Sequence, residues 1–156
     1  MKRDKIVVFV HFIWATWDRL PLIAEDQEEL LYSHLASVAA KQGCSVVAIN
    51  GMPDHVHGLL TLPTTIEIGA LAQQLKGSSS RFANREMDLG SFSAFKWRGS
   101  YAAYSVSRWD VPKVARYIQN QKQHHRGNTT IPPLELREDE EGEEGYCSTP
   151  RPPRRS

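Results

Sequence analysis

The sequence contains very little cysteine. Its 156 residues include two cysteines, Cys44 and Cys147, and neither belongs to a Cys-x-x-Cys pair. Two isolated thiols cannot supply a disulfide framework or a four-cysteine zinc site. The fold must therefore be held together by an ordinary hydrophobic core, and the chain is long enough to form one within a single domain.

Long apolar runs are also missing from the sequence. No segment approaches the roughly 20 apolar residues that a membrane-spanning helix needs. The first five residues, Met-Lys-Arg-Asp-Lys, lead into strand-like sequence without the apolar region and cleavage site of a secretory signal. We therefore expect a cytoplasmic protein that does not act at a membrane.

Neither sign of charge predominates, since the formal net charge is +1. Acidic residues are concentrated in residues 135–144, so the chain before them is modestly basic. A modest basic excess is compatible with binding a phosphate backbone but does not identify such a partner. Clustered charge, low hydrophobicity and proline predict a disordered tail over residues 131–156, after a single domain in residues 1–130.

The order of the predicted elements indicates the fold class. Apolar and β-branched runs predict strands, and helical periodicity with capping signals predicts helices. The strands are expected in residues 5–16, 44–50 and 55–62, with a further strand or bent hairpin in residues 92–97 and 100–107 that is broken at Arg98-Gly99. The helices are expected in residues 24–42, 67–86 and 111–126. A hairpin inside two crossovers predicts an α+β, ferredoxin-like (RRM-like) antiparallel sheet with helices on one face. The third helix is then free to cover an edge or the open face.

Residues 50–62, Asn-Gly-Met-Pro-Asp-His-Val-His-Gly-Leu-Leu-Thr-Leu, carry the first candidate site. A turn signal precedes an apolar run, which is typical of a buried strand. Residues two apart on a strand share a face, so His55 and His57 should project side by side, about 6.5 Å apart at Cα. Such a pair can share a divalent metal ion, although a histidine pair on a half-buried strand is more often satisfied by hydrogen bonds. His11, alone on the first strand, is interpreted as a satisfied sheet residue.

The third predicted helix carries a second candidate site. Tyr117 and Gln121 are four residues apart and should share one helical face. A tyrosine can attack as a nucleophile if a metal or base activates its phenol, whose ordinary pKa is about 10. The Gln121 amide oxygen suits Mg²⁺ or Mn²⁺ as a third ligand. The alternative for this segment alone is an amphipathic helix in which Tyr117 is an ordinary packed aromatic.

Basic side chains accompany both candidate helices. A phosphate substrate would be favoured by the cationic residues around Tyr117, and the polar face of the 67–86 helix is rich in hydrogen-bond donors and nearly free of acids. Plain solvation is the alternative for such a face. The candidate DNA contacts are Lys76, Arg81, Arg85, Arg116, Lys122 and Arg126.

Together the two motifs are more specific than either alone. Met52-Pro-Asp-His-Val-His57, and Tyr117-Ile-Gln-Asn-Gln121 followed by His124-His125, resemble the HUH-superfamily single-tyrosine transposases. That group comprises the insertion-sequence and REP-associated tyrosine transposases. The resemblance covers roughly residues 4–128 and leaves the tail without a counterpart.

The resemblance implies a mechanism residue by residue. His55, His57 and Gln121 would hold Mg²⁺ or Mn²⁺. Tyr117 would attack single-stranded DNA next to a hairpin, giving a 5′-phosphotyrosine and a free 3′-hydroxyl that can later be resealed. No nucleotide cofactor is implied. A homodimer is implied, often with the tyrosine helix completing the partner's site.

Two other classes of function remain open at the level of sequence. One is a metal-dependent phosphodiester hydrolase in which His55 and His57 serve an activated water. The other is a domesticated protein that binds hairpin DNA without strand transfer. A nucleobase deaminase fits poorly, because its His-x-Glu and Pro-Cys-x-x-Cys motifs are missing.

Overall fold

A computed structural model describes residues 3–131. Its four strands and four helices are β1 (Phe9–Ala15), α1 (Glu28–Lys41), β2 (Val46–Met52), β3 (His55–Thr61), α2 (Ile68–Glu86), β4 (Ala102–Val106), α3 (Val111–Gln119) and α4 (Gln121–Arg126). The strands form one antiparallel sheet in the order β2-β3-β1-β4. This is the predicted α+β, ferredoxin-like arrangement. No helix within the described residues is both long and apolar enough to cross a membrane.

The main core lies between the sheet and the helices α1 and α2. Val10, Phe12 and Trp14 point from β1 into this core, and Val56 and Leu60 join them from β3. Residues 10–15 are all buried, so the prediction of a strand buried on both faces is confirmed there. Burial on both faces is possible only because something also covers the second face of the sheet.

Helix α3 covers that second face over β2 and β3. Val114 and Ile118 of α3 form a smaller buried cluster with Ala48 of β2 and Leu59 of β3. The odd-numbered residues of β1 and β3 therefore point towards α3, which places His55 and His57 beneath this helix and its continuation. The tyrosine helix lies on the open face and not at an edge.

Several predicted boundaries differ from the structure. The first strand starts at Phe9, where pairing with β3 and β4 begins, and the preceding Ile6, Val7 and Val8 are exposed. Helix α1 starts at Glu28 rather than at residue 24. Between residues 92 and 101 no strand forms, and Trp97 makes only an isolated bridge to Thr16. The predicted tail, apart from residue 131, lies outside the described residues, as does Cys147.

The third helix is broken, contrary to the prediction of one continuous helix to residue 126. Asn120 leaves helical geometry with φ −99° and ψ 21°, ending α3 and starting α4. Its neighbours are held by β2, since the Asn50 side chain donates to the Gln119 carbonyl at 3.0 Å. The break lets α4 follow the surface of the sheet instead of continuing past it.

Gly51 allows β2 to approach β3 next to the first histidine. A Cβ at this position would clash with the His55 carbonyl oxygen and lie 2.9 Å from the Cα of Val56. We expect Gly51→Ala to lower the free energy of unfolding by more than about 3 kcal/mol, because rigid backbone would have to move. Gly58→Ala on β3 is the matched control, since an added Cβ there meets nothing within 4 Å. Chemical denaturation measures the free energy of unfolding of both variants. Equal losses in the two variants would contradict the expected clash at Gly51.

Candidate functional site

His55 and His57 lie side by side, as predicted from their spacing. Their ring centroids are 5.1 Å apart, and both residues are almost fully buried. They belong to β3, which is flanked by β1 and β2, so the backbone beneath them is hydrogen-bonded on both sides. This gives the two imidazoles a rigid base.

Gln121 reaches the histidines from the first turn of α4. Its Oε1 lies 3.4 Å from Nε2 of His55 and 3.1 Å from Nε2 of His125, and the residue is fully buried. Tyr117 approaches from α3, with its ring centroid 6.3 Å from that of His57. The structure therefore brings together all four residues named from sequence, although the tyrosine and the glutamine belong to different helices.

The donor atoms suit a divalent cation. Nδ1 of His55 lies 2.8 Å from Oδ1 of Asp54, and a carboxylate can only accept, so whenever His55 is neutral its lone pair is on Nε2. That lone pair faces the amide oxygen of Gln121. Two acceptors at 3.4 Å match adjacent ligands of one ion, which lie about 3 Å apart at metal–ligand distances of about 2.1 Å. The residues present therefore fit Mg²⁺ or Mn²⁺.

The Gln121 amide is essential to that fit. Within residues 3–131, no group of three or more His, Cys, Asp or Glu side chains is arranged to hold a metal ion. Two imidazoles and one amide oxygen would leave coordination positions for water or a substrate oxygen, as a catalytic metal site requires.

Asp54 holds His55 in place through a charged contact. Burial acts to raise the pKa of Asp54, but the hydrogen bond from His55 and the charges of His55 and Arg19 outweigh it and keep the pKa below its ordinary value. Nε of Arg19 lies 3.2 Å from the second carboxylate oxygen. An ionised Asp54 fixes the orientation of the imidazole, which is a common arrangement behind histidine ligands.

His11 is a residue of the candidate site that the sequence did not identify as one. It is fully buried and hydrogen-bonded, as expected, but its partner is His57: Nε2 of His11 lies 2.9 Å from Nδ1 of His57, and the rings stack. Antiparallel pairing puts His11 opposite Leu59, so it lies diagonally across from His57 on the same face. Strand parity combined with the β1–β3 pairing would have found this contact.

We expect His11→Leu to weaken metal binding, although His11 is not one of the proposed metal ligands. It removes the group that orients His57, and loss of such a partner typically costs 10- to 100-fold in metal affinity. His11→Gln, whose amide reaches a similar position, should lose less. The measurement is the Mn²⁺ concentration needed to raise the melting temperature of each variant. Identical Mn²⁺ dependence in His11→Leu and the unmodified protein would refute the role.

Tyr117 is shielded from solvent in this structure. Only 4% of its surface is exposed, the His124 ring stacks on it at 4.5 Å, and its hydroxyl accepts a hydrogen bond from the Ile131 N–H at 3.0 Å. His124 is in turn tied to Thr129 by two hydrogen bonds. The segment after α4 therefore folds back over the tyrosine.

The six cationic residues named from sequence divide into two groups. The Lys76 ammonium donates to the carbonyls of Arg98 and Ser100 at 2.6 and 3.0 Å, and burial lowers its pKa. Lys122 contacts Glu28 at 2.9 Å and also bonds to Asn50 and Gly51. These two lysines connect parts of the fold. The exposed members are Arg81, Arg85, Arg116 and Arg126; DNA contact by any of the six stays a prediction.

The comparisons with known proteins agree on one family. Residues 6–121 match the family model described as "Transposase IS200 like". The ISDra2 transposase TnpA of Deinococcus radiodurans is 29% identical over 127 residues, which cover 78% of this chain and 91% of that protein. The chain belongs to the IS200-like transposase family.

Two solved structures share the fold. A crystal structure from Deinococcus radiodurans R1, provisionally assigned as a transposase, is 29% identical with a TM-score of 0.59, covering 78% of this chain and 98% of that one. A REP-associated tyrosine transposase bound to a REP hairpin is 14% identical with a TM-score of 0.57, covering 83% of this chain and 74% of that one. At that lower identity the likeness is one of fold alone.

Proposed function

We propose that this transposase cleaves and rejoins single-stranded DNA through Tyr117, with a divalent metal ion held by His55, His57 and Gln121. The observation that carries the proposal is the buried cluster itself. One face of the sheet presents two imidazoles with the Gln121 oxygen at 3.4 Å from one and the Tyr117 ring at 6.3 Å from the other. Membership of a transposase family supplies the reaction class.

The metal, Mg²⁺ or Mn²⁺, would place positive charge beside the non-bridging phosphate oxygens as they gain charge in the transition state. Tyr117 supplies the nucleophile: its phenol loses its proton and its oxygen forms a bond to phosphorus. The bond from phosphorus to the 3′ oxygen breaks, and that oxygen takes up a proton and leaves as a hydroxyl. The product is a 5′-phosphotyrosine. Attack by another 3′-hydroxyl reverses the step, so no nucleotide cofactor is needed because the phosphodiester energy is retained.

Access to Tyr117 requires a local rearrangement. Its hydroxyl accepts from Ile131 and its ring is covered by His124, so a phosphate cannot reach the oxygen while the 127–131 segment stays in place. Exposed segments with few buried contacts open at low free-energy cost, and residues 127–131 are mostly exposed. DNA binding is the natural trigger for this opening.

The DNA partner is a hairpin flanked by unpaired strand. The fold is shared with a transposase whose structure contains a REP hairpin, which supports this substrate class. A homodimer and a cytoplasmic location complete the proposal, the first from the resemblance described above and the second from the DNA substrate.

Incubation with Mn²⁺ and end-labelled hairpin oligonucleotides, followed by denaturing gels, tests the reaction. We expect a labelled band shifted by the mass of the protein and sensitive to EDTA. Cleavage without a protein-linked band would replace the tyrosine mechanism with a metal-dependent hydrolase. Binding without cleavage, across a pool that includes hairpins from the protein's own genome, would leave a hairpin-binding protein.

A further inference from the structure

The loop after β1 has an unusual backbone conformation next to the proposed site. Asp18 and Arg19 are consecutive non-glycine residues with φ of 53° and 52°, in the left-handed region that L-residues rarely occupy. Such residues are strained and persist where the surroundings hold them. Here Arg19 is held by Asp54, which also holds His55. The strained loop is thus coupled to the proposed metal site.

Trp17 directly precedes these two residues and is exposed to solvent. Half of this residue's surface is exposed, and the Nζ of Lys96 lies 3.9 Å from its ring centroid. Its backbone is fixed, because the Trp17 N–H donates to the Lys96 carbonyl and the Arg98 N–H donates to the Ala15 carbonyl, both at 2.9 Å. Trp17 is thus a large aromatic on a fixed backbone, with half of its surface available for contact.

The surroundings of Trp17 have the charge of a phosphate-binding surface. A cleft of about 360 Å³ is lined by Trp17, Asp18 and Arg98, with Lys96 over the indole. Cations next to an exposed aromatic are the combination that binds single strands, since the ring stacks on a base and the cations follow the backbone. The Asp18 carboxylate disfavours a phosphate inside the cleft, which leaves the cleft for a base and the cationic rim for the backbone.

The position of Trp17 relative to His55 is set by strand register. Ala15 is paired directly with His55, and Trp17 follows two residues later. Two steps of extended chain plus one strand spacing put its Cα within about 12 Å of that of His55. That distance is short enough for one DNA strand to reach both positions.

We infer that Trp17 is a stacking platform for an unpaired base close to the scissile phosphate, with Lys96 and Arg98 contacting the adjoining backbone. The inference rests on the proposed function and adds to it a residue that positions the strand. It assigns a role to an exposed aromatic outside both sequence motifs.

Trp109 provides a matched control within the same chain. It is 77% exposed, and the Cζ of Arg108 lies 4.4 Å from its ring centroid, so it also combines an exposed indole with a cation. It follows β4, whose Val106 pairs with Phe9 at the opposite end of β1 from Ala15. Trp109 therefore lies much farther from His55 than Trp17 does.

The test uses hairpin oligonucleotides with unpaired arms, carrying 2-aminopurine at one arm position at a time, with EDTA present to prevent cleavage. We expect Trp17→Leu to weaken binding roughly 5- to 150-fold, the range for loss of one stacked base. The quenching of 2-aminopurine should disappear at one or two positions. Trp17→Phe should retain most of the affinity, and Trp109→Leu all of it. Circular dichroism and melting temperature establish that each variant is folded.

An abasic site at the quenched position gives a second readout. If Trp17 stacks on that base, removing the base and replacing Trp17 should not have additive effects on affinity. Unchanged binding in Trp17→Leu, or an equal loss of affinity in Trp109→Leu, would contradict the inference that Trp17 stacks on a base. Failure of the proposed function is distinguishable, because the unmodified protein would then form no covalent band while the dependence of binding on Trp17 persisted.

Discussion

Tyr117→Phe is expected to abolish the covalent protein–DNA band while leaving DNA binding intact. The change removes one oxygen, the proposed nucleophile, and keeps the ring that packs beneath His124. Loss of an enzymatic nucleophile commonly lowers the rate by roughly 10⁴-fold or more. Denaturing gels measure the band, and fluorescence anisotropy measures binding of the same oligonucleotide.

Tyr101→Phe is the control for this experiment. Tyr101 is exposed just before β4, and its ring lies 6.2 Å from that of Phe12, whose side chain points into the main core on the other face of the sheet. Removal of its hydroxyl should therefore not affect band formation. A covalent band that survives in Tyr117→Phe would assign the nucleophile to another residue. Cleavage that survives without any band would favour the hydrolase over the transposase mechanism.

His57→Ala should produce the second large effect, on metal binding. It removes one of three proposed ligands, and since loss of an outer partner alone costs about 10- to 100-fold in affinity, loss of a ligand should exceed about 100-fold. The covalent band should disappear with the metal. Electron paramagnetic resonance titration with Mn²⁺ measures the affinity directly and without reference to catalysis.

His34→Ala is the matched histidine control. His34 lies between α1 and α2, where it stacks on Phe82 and bonds to Ser78, away from the candidate site. Its replacement should leave Mn²⁺ binding unchanged. A folded His57→Ala variant that binds Mn²⁺ as tightly as the unmodified protein would remove His57 from the ligand set and the metal from the proposed mechanism.

Much of the candidate site could be predicted because its geometry is local. Residues two apart on a strand share one face, so spacing alone is enough to put His55 and His57 together. The Tyr117–Gln121 pair depended on helical spacing, and it is brought to the same site although the helix breaks at Asn120. The break is set by contacts with β2, such as that of Asn50 with Gln119, which no local pattern reports.

For the basic residues, by contrast, the sequence did not predict which contacts the side chains make. Lys76 and Lys122 looked like solvated cations available to phosphate, because sequence gives charge but not partners. In the structure their ammonium groups contact carbonyl oxygens of a loop and the acidic side chain of Glu28. Exposure of Arg81, Arg85, Arg116 and Arg126 leaves these residues as the more accessible cations for DNA contact.

The sequence by itself determined the fold class, the two motifs and the family resemblance, because these depend on periodicity, on the order of elements and on short fixed spacings. The tertiary structure decided which face α3 covers, that His11 lies against His57, that Tyr117 is shielded by the 127–131 segment and that Trp17 lies close to His55. Each of these is a relation between residues on different elements of the fold. Such relations follow from strand register and helix packing, which local spacing does not specify.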